Sequence, residues 1–354
     1  MTKISFSNRQ ADFTIALKKS VEEYFASRKL TTTGNWKLYS KTIVLLTSAV
    51  ATYLLLLMVA MPGWLSLVLC VLFGFNLAAI GFNVMHDGAH GSYSRKGWVN
   101  EMMGYTLNLM GGNVLLWKTK HNMIHHSFTN IEGVDDDIDI RPFIRTNVNQ
   151  PHKWFHRAQH IYFPLLYSLT HFWWIYQRDF LKYFSGKISG MKIKKLTISE
   201  HFIFWISKLV YFFIFLALPL MALGPQALIG YTLATVVSGI TISIVFQLAH
   251  VVEHADFPVP DANSNKIEES WTIHQLNTTA NFSTSSRIIT WFTGGLNFQV
   301  EHHLFPRISH VHYPALQKMV KSLCRQYNVQ YIEYPTMFRA IRSHVSYLRE
   351  VGRR

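Results

Sequence analysis

Charge and cysteine are both scarce in this chain of 354 residues. Asp, Glu, Lys and Arg make up 15% of it, and its two cysteines are Cys70, inside an apolar run, and Cys324, near the C-terminus. Two thiols so placed build no disulfide framework, which excludes a stapled secreted fold. The low charged fraction excludes intrinsic disorder and also an ordinary soluble enzyme, in which about a quarter of the residues are charged. Acidic residues are the scarcer kind, 20 against 34 Lys and Arg, for a net charge of +14. Such a balance suits nucleic acid. The hydrophobic residues, 49% of the chain, are nevertheless gathered into long runs, and a membrane accounts for both figures. A secretory leader is not visible either, since the first apolar run starts about forty residues in and is about twenty long.

The runs come in pairs. Thr42 to Met61 and Trp64 to about Met85 meet at the Pro62-Gly63 turn, and Phe202 to Leu223 and Ala227 to Ala249 are joined by Gly224-Pro225-Gln226. Each is long enough for roughly 30 Å of hydrocarbon, so four transmembrane helices in two hairpins are expected. The turns contain no Lys or Arg, whereas the N-terminal arm, the segment from His86 to His201 and the segment after His250 contain all of them except Lys208. By the positive-inside bias those three regions, and both termini, are cytoplasmic. Lys208 is expected to snorkel to the nearer interface. Trp98 to Trp117 is broken by Asn100, Glu101 and Gly111-Gly112, and Ile161 to Tyr176 is short and holds Pro164 and His171. Both read as helices lying in the interface. Asp12 to Phe25 reads as a surface or interfacial helix, its Phe13, Leu17, Val21 and Tyr24 recurring at helical spacing. The expectation is an all-α membrane protein with a cytoplasmic helical cap, a single domain over 1–354: an arm at 1–41, two hairpins with an intervening cap segment at 42–249, and a C-terminal cap at 250–354.

Histidine is abundant, with 18 residues, and its placement is uneven. His86-Asp-Gly-Ala-His90 closes the second span, His121-Asn-Met-Ile-His125-His126 lies between the hairpins, His250 and His254 follow the fourth span, and Gln299-Val-Glu-His302-His303 comes later. Residues i and i+4 of a helix share a face, so each i,i+4 pair presents two imidazoles together. At this histidine frequency an HxxxHH pattern arises by chance roughly 0.05 times in such a chain. Packed imidazoles repel when protonated and waste hydrogen bonds when buried, unless a cation organises them. His86, His90, His121, His125, His126, His302 and His303 therefore read as metal ligands, and so many nitrogen donors imply two ions. Scattered histidines (His152, His156, His160, His171, His201, His310, His312 and His344) read as ordinary polar or interfacial residues. There is no HExxH and no Glu-x-x-His, which speaks against a zinc protease and a ferritin-like carboxylate site. Nitrogen-rich sites suit iron, copper or zinc.

The three boxes His86-x-x-x-His90, His121-x-x-x-His125-His126 and Gln299-x-x-His302-His303 resemble those of the membrane fatty acid desaturases, and Gln at the head of the third box resembles the front-end acyl desaturase branch. Flanking residues agree: His126-Ser-Phe-Thr-Asn130 leading to Asp135-Asp-Asp-Ile-Asp139, Gln247-Leu-Ala-His250, His274-Gln-Leu-Asn-Thr-Thr279 and Gly294-Gly-Leu-Asn-Phe-Gln299. The likeness spans about residues 40 to 315. It implies four transmembrane helices under a cytoplasmic cap, and two non-haem irons held by His86, His90, His121, His125, His126, His250, His302 and His303. Gln299 takes a slot that is His elsewhere in the superfamily, so it is expected to bind weakly, to hydrogen-bond a water at the metal, or to shape the pocket. His254 is expected to support a ligand rather than bind metal. Asp87 and one or two of Asp135, Asp136, Asp137 and Asp139 are expected to accept from the outer nitrogens of liganding rings.

The activity so implied is the O2-dependent insertion of a cis double bond into a fatty acyl chain, on CoA or on a lipid. A narrow apolar tunnel must then measure distance from the head group, and Trp117, Phe292 and Phe298 are candidate lining residues. The basic balance suits an anionic leaflet, a phosphate-bearing acyl carrier and an acidic electron donor. No His-Pro-Gly-Gly haem motif occurs, so no fused cytochrome b5 domain is expected and electrons come from a separate ferredoxin or cytochrome b5 type partner. A membrane hydroxylase with the same boxes is the alternative enzyme. A membrane haem or metal-transport protein is the alternative of another class, disfavoured because transport ligands belong near the midplane.

Overall fold

The computed structural model describes residues 4–354. The first helix, α1 (Ala11–Ser27), buries Phe13, Leu17, Val21 and Phe25 along one face. Four helices among the described residues are long and apolar enough to cross a membrane: α2 (Trp36–Met58), α3 (Gly63–His90), α4 (Ile198–Leu223) and α5 (Ala227–His250). Their ends carry explicit signals. Asn35 caps α2 by accepting from the Lys37 N–H at 3.0 Å, and Thr197 with Glu200 forms a capping box at α4. Gly224, at a positive φ of 76° that only glycine adopts readily, ends α4.

The inner pair is α3 and α5. In their apolar windows 44% and 33% of the residues are buried against protein, compared with 11% in α2 and in α4, whose surfaces are left for lipid. Close approach explains the pairing, since a Cβ at Gly74 would lie 2.5 Å from the Ala234 carbonyl oxygen, so only glycine permits this crossing. The two further apolar stretches, Trp98 to Trp117 and Ile161 to Tyr176, are discontinuous. One divides into Gly97–Gly104, Thr106–Leu109 and Val114–Lys118, and the other into Gln159–Ser168 and Thr170–Trp173.

The last hundred residues contribute α6 (Trp271–Asn277), α7 (Gln299–Leu304), α8 (Tyr313–Gln326) and α9 (Met337–Val351), with a short parallel pairing of Ala280–Phe282 and Ile332–Tyr334. One buried apolar cluster joins Phe13 and Leu17 of α1 to Ile273 and Leu276 of α6, Val300 and Leu304 of α7, and Val320 and Cys324 of α8. The apolar face of α1 is thus covered by protein, so it is not available to the bilayer, and Phe25 rather than Tyr24 completes it. Lys208 also departs from expectation. Instead of snorkelling it is buried, with its Nζ 2.8 Å from Asp179 Oδ2 and 2.6 Å from the Gly111 carbonyl oxygen. A partner folded over the helix end makes reaching the interface unnecessary.

Candidate metal centre

Box histidines arrive on helix ends whose winding is locally altered. A π-helical turn at Gly81–Met85 precedes His86 and His90 in the last turn of α3, and another at Thr119–His125 carries His121 and His125. Such turns add a residue per turn and re-aim the side chains that follow. In the second, the His121 and His125 rings lie nearly parallel with centroids 5.0 Å apart. His250 is the last residue of α5. The short α7 turns Val300 and Leu304 toward the apolar cluster and brings in His302 and His303, both fully buried.

These rings converge in two adjoining nests. Possible ligand atoms of His86, His90, His121 and His302 lie within 4.8 Å of one another, as do those of His125, His250 and His303. His126 stands between, its ring 4.6 Å from His302 and 4.3 Å from His303. The outward nitrogens have partners. Nδ1 of His121 is 2.9 Å from Asp137 Oδ2, that of His125 2.8 Å from Asp135 Oδ2, that of His302 3.1 Å from the Tyr313 hydroxyl, that of His303 2.8 Å from Gln275 Oε1, and that of His250 3.2 Å from the Thr278 carbonyl oxygen. The inward nitrogens do not: Nε2 of His90, His121, His125, His302 and His303, and both nitrogens of His126, are buried without a hydrogen-bond partner. Orphaned imidazole nitrogens facing one another are costly for a protein alone and suited to a cation, so the donor set fits metal ions held by nitrogen.

Electrostatics agree. Burial lowers His121 to about 4. Burial and the neighbouring rings together push His126, His302 and His303 well below the usual imidazole range. Neutral rings with free lone pairs are the ligating form. Burial also acts to lower His125, but the Asp135 charge and hydrogen bond outweigh it and hold that ring above its ordinary value. Asp137 stays well below the carboxylate range: burial opposes this, and Lys120 with His121 overcomes it.

Several expected supports stand elsewhere. His254 is exposed, in a left-handed conformation at φ 74°, because α5 stops at His250 and the i+4 relation ends with it. Asp87, although between two box histidines, bonds the Ser309 hydroxyl at 2.6 Å and lies 3.1 Å from His310 Nδ1. Helical geometry points it away from its neighbours, toward the segment before α8. Of the acidic run, Asp135 and Asp137 reach rings, whereas Asp136 pairs with Arg178 and Lys182 and Asp139 with Arg141. Gln299 places its carboxamide nitrogen 3.0 Å from Nε2 of His250. Sequence pattern does not mark Thr278, Gln275 and Tyr313 for these roles. The first two lie in the His274 to Thr279 motif, where spacing alone does not reveal which neighbour each would meet.

A cavity of 510 Å³ opens beside the nests, bordered by His86, His121 and Gln299 and running along α3 and α5 to Leu77 and Ser238. Trp117 lines it. Phe292 instead borders a separate shallow groove, and Phe298 is packed in the core with Tyr313 and Val21.

A family model described as fatty acid desaturase matches residues 62–335. The acyl-lipid (8-3)-desaturase of Physcomitrium patens is 37% identical over 346 residues, covering 96% of this chain and 72% of that protein. The sn-1 linoleoyl-lipid 6-desaturase of a Synechocystis strain is 35% identical over 354 residues, covering 99% and 98%. The Delta(5) fatty acid desaturase A of Dictyostelium discoideum is 31% identical over 363 residues, covering 97% and 76%.

Proposed function

The chain belongs to the fatty acid desaturase family and is an oxidoreductase of fatty acyl chains. From that premise we propose that it places a cis double bond on the carboxyl side of an existing one, in an acyl chain carried by a membrane lipid. Two non-haem irons would be held by His86, His90, His121, His125, His126, His250, His302 and His303. The proposed arrangement is two transmembrane hairpins beneath a cap formed by the segment from His86 to His201 and by 250–354, with centre and termini cytoplasmic. Electrons would come from a separate ferredoxin or cytochrome b5 type protein, and O2 would be the oxidant.

The observation that carries this reading is the meeting of eight buried imidazoles, aimed inward, with an apolar cavity that begins at their edge. Bound iron supplies what side chains cannot, the O2-dependent removal of hydrogen from unactivated methylenes. The protein supplies position. Asp137, Asp135, the Thr278 carbonyl, Tyr313 and Gln275 hold five of the eight rings, those of His121, His125, His250, His302 and His303, by the outer nitrogen, so their inner lone pairs are aimed before any ligand arrives. Met85, Trp117 and Phe246 wall the cavity beside the nests and would fix two neighbouring methylenes against them.

Expression in a host of simple lipid composition, feeding of defined fatty acids and mass-spectrometric mapping of double bonds test the proposal. A new bond on the carboxyl side of an existing one is expected, together with two non-haem irons per purified chain, and its loss in His125→Ala and His302→Ala. A hydroxylated product, full activity in those variants, or a haem spectrum in place of non-haem iron would overturn it.

A further inference from the structure

The side chain of Gln247 has no partner. It lies on α5 three residues before His250, on the same helical face, and borders the cavity together with Val245 and Phe246. Only 3% of the residue is exposed, yet among the described residues nothing accepts from its amide nitrogen or donates to its Oε1. Gln299 at the same cavity differs, with its carboxamide nitrogen 3.0 Å from Nε2 of His250. Farther along α5 the Ser243 hydroxyl is satisfied by Thr170 Oγ1 at 2.8 Å, and the unpartnered Ser238 hydroxyl stands at the far end. A buried carboxamide left unpaired is costly, so one at the wall of an apolar cavity implies a group on the occupant that meets it.

An acyl chain offers few such groups. With its head group outside and its methyl end toward Ser238, the carbons beyond the reacting pair lie deeper than the nests. Gln247 is one helical turn deeper than His250, about 4.5 Å at 1.5 Å per residue. Saturated methylenes passing it expel water and give the amide nothing in return, whereas a cis double bond presents a π face that accepts an N–H. We propose that the Gln247 carboxamide recognises the double bond already present in the acyl chain. This rests on the desaturase reading and deepens it: a bond held one turn beyond the nests brings the methylenes on its carboxyl side up to them, and Gln247 thereby sets which carbons are attacked.

Iron-loaded protein in detergent, held without reductant so that no turnover occurs, is titrated with two chains of equal length on one carrier, one saturated and one with a single cis bond, each displacing a fluorescent acyl probe. The unsaturated chain is expected to bind about two- to fivefold more tightly. In Gln247→Met, which keeps the length and loses the amide, this preference should vanish because the saturated chain binds more tightly than it does to the wild type, with iron content unchanged. Moving the cis bond along the chain supplies a second measurement that needs no variant: affinity for the wild-type protein should peak at one bond position. No preference in the wild type, equal affinity at every bond position, an undiminished preference in Gln247→Met, weaker binding of both chains to that variant, or loss of its iron would each overturn the proposal. Failure of both chains to displace the probe from the wild type would refute the cavity as the acyl site, and with it the reading on which the proposal rests.

Discussion

The nitrogen of His303 that faces away from the nest lies 2.8 Å from Gln275 Oε1, an amide oxygen that can only accept. This fixes the proton on Nδ1 and leaves Nε2 as the lone-pair donor. In Gln275→Leu the ring loses both orientation and basicity, and iron content of the purified protein at limiting metal is expected to fall about 10- to 100-fold in affinity. His250 and His254 give the sharpest contrast at this scale. His250→Ala should abolish desaturation and lower bound iron, whereas His254→Ala should retain both, because the His254 side chain is exposed. Equal losses in the two variants would place His254 back at the centre. That the clustered imidazoles would converge was legible, since such clusters have few other uses. The partners of Asp87 and His254 were not, because each depends on where a helix ends and on what folds against it some two hundred residues later.

At the scale of elements, α5 would serve as a ruler for an acyl chain lying in the cavity. Ser238 and His250 are 12 residues apart, about 18 Å at 1.5 Å per residue, and Ser238 marks the far end of the cavity. Ser238→Leu should fill that end, so that chains two carbons shorter become preferred in competition assays; unchanged chain-length preference would show that the acyl tail lies elsewhere. Helix α9 is tied to the end of α5 through His344, whose Nδ1 lies 2.5 Å from the Val251 carbonyl oxygen and whose Nε2 lies 3.0 Å from the Tyr167 hydroxyl. Burial lowers this ring to about 4, against about 6.5 in the unfolded chain. Between those values the unfolded state binds the extra proton. The contribution is therefore complete above about pH 6.5 and declines as pH falls toward 4. Melting temperature in detergent should drop over that window, and more shallowly in His344→Gln. Span positions were readable to within a few residues because a bilayer demands unbroken apolarity. The partner of α1 was not, since an amphipathic stripe is the same whether lipid or α8 covers it.

Considered whole, the molecule balances a charge buried against one of its spanning helices by pairing it across segments. Lys208 of α4 meets Asp179, from the segment preceding that helix. Lys208→Met alone would leave a buried carboxylate without its partner, a loss of about 3–5 kcal/mol, visible as lower yield and a lower melting temperature. Adding Asp179→Leu should recover most of it, and a double variant no better than the single one would mean that the pair does not act as a unit. Composition announced the membrane and the positive excess, but not which cations would meet carboxylates, because pairing is a property of the folded surface. The arrangement of the two nests bears also on biosynthesis. Their rings come from α3, from the stretch around His125, from the end of α5 and from α7, so the last imidazoles leave the ribosome only after every apolar segment has been made. A product that ends before His302 can assemble neither nest in full. Under the proposed metal binding, loading would wait for α7, and an ion once seated would fasten the early and late parts of the polypeptide to each other.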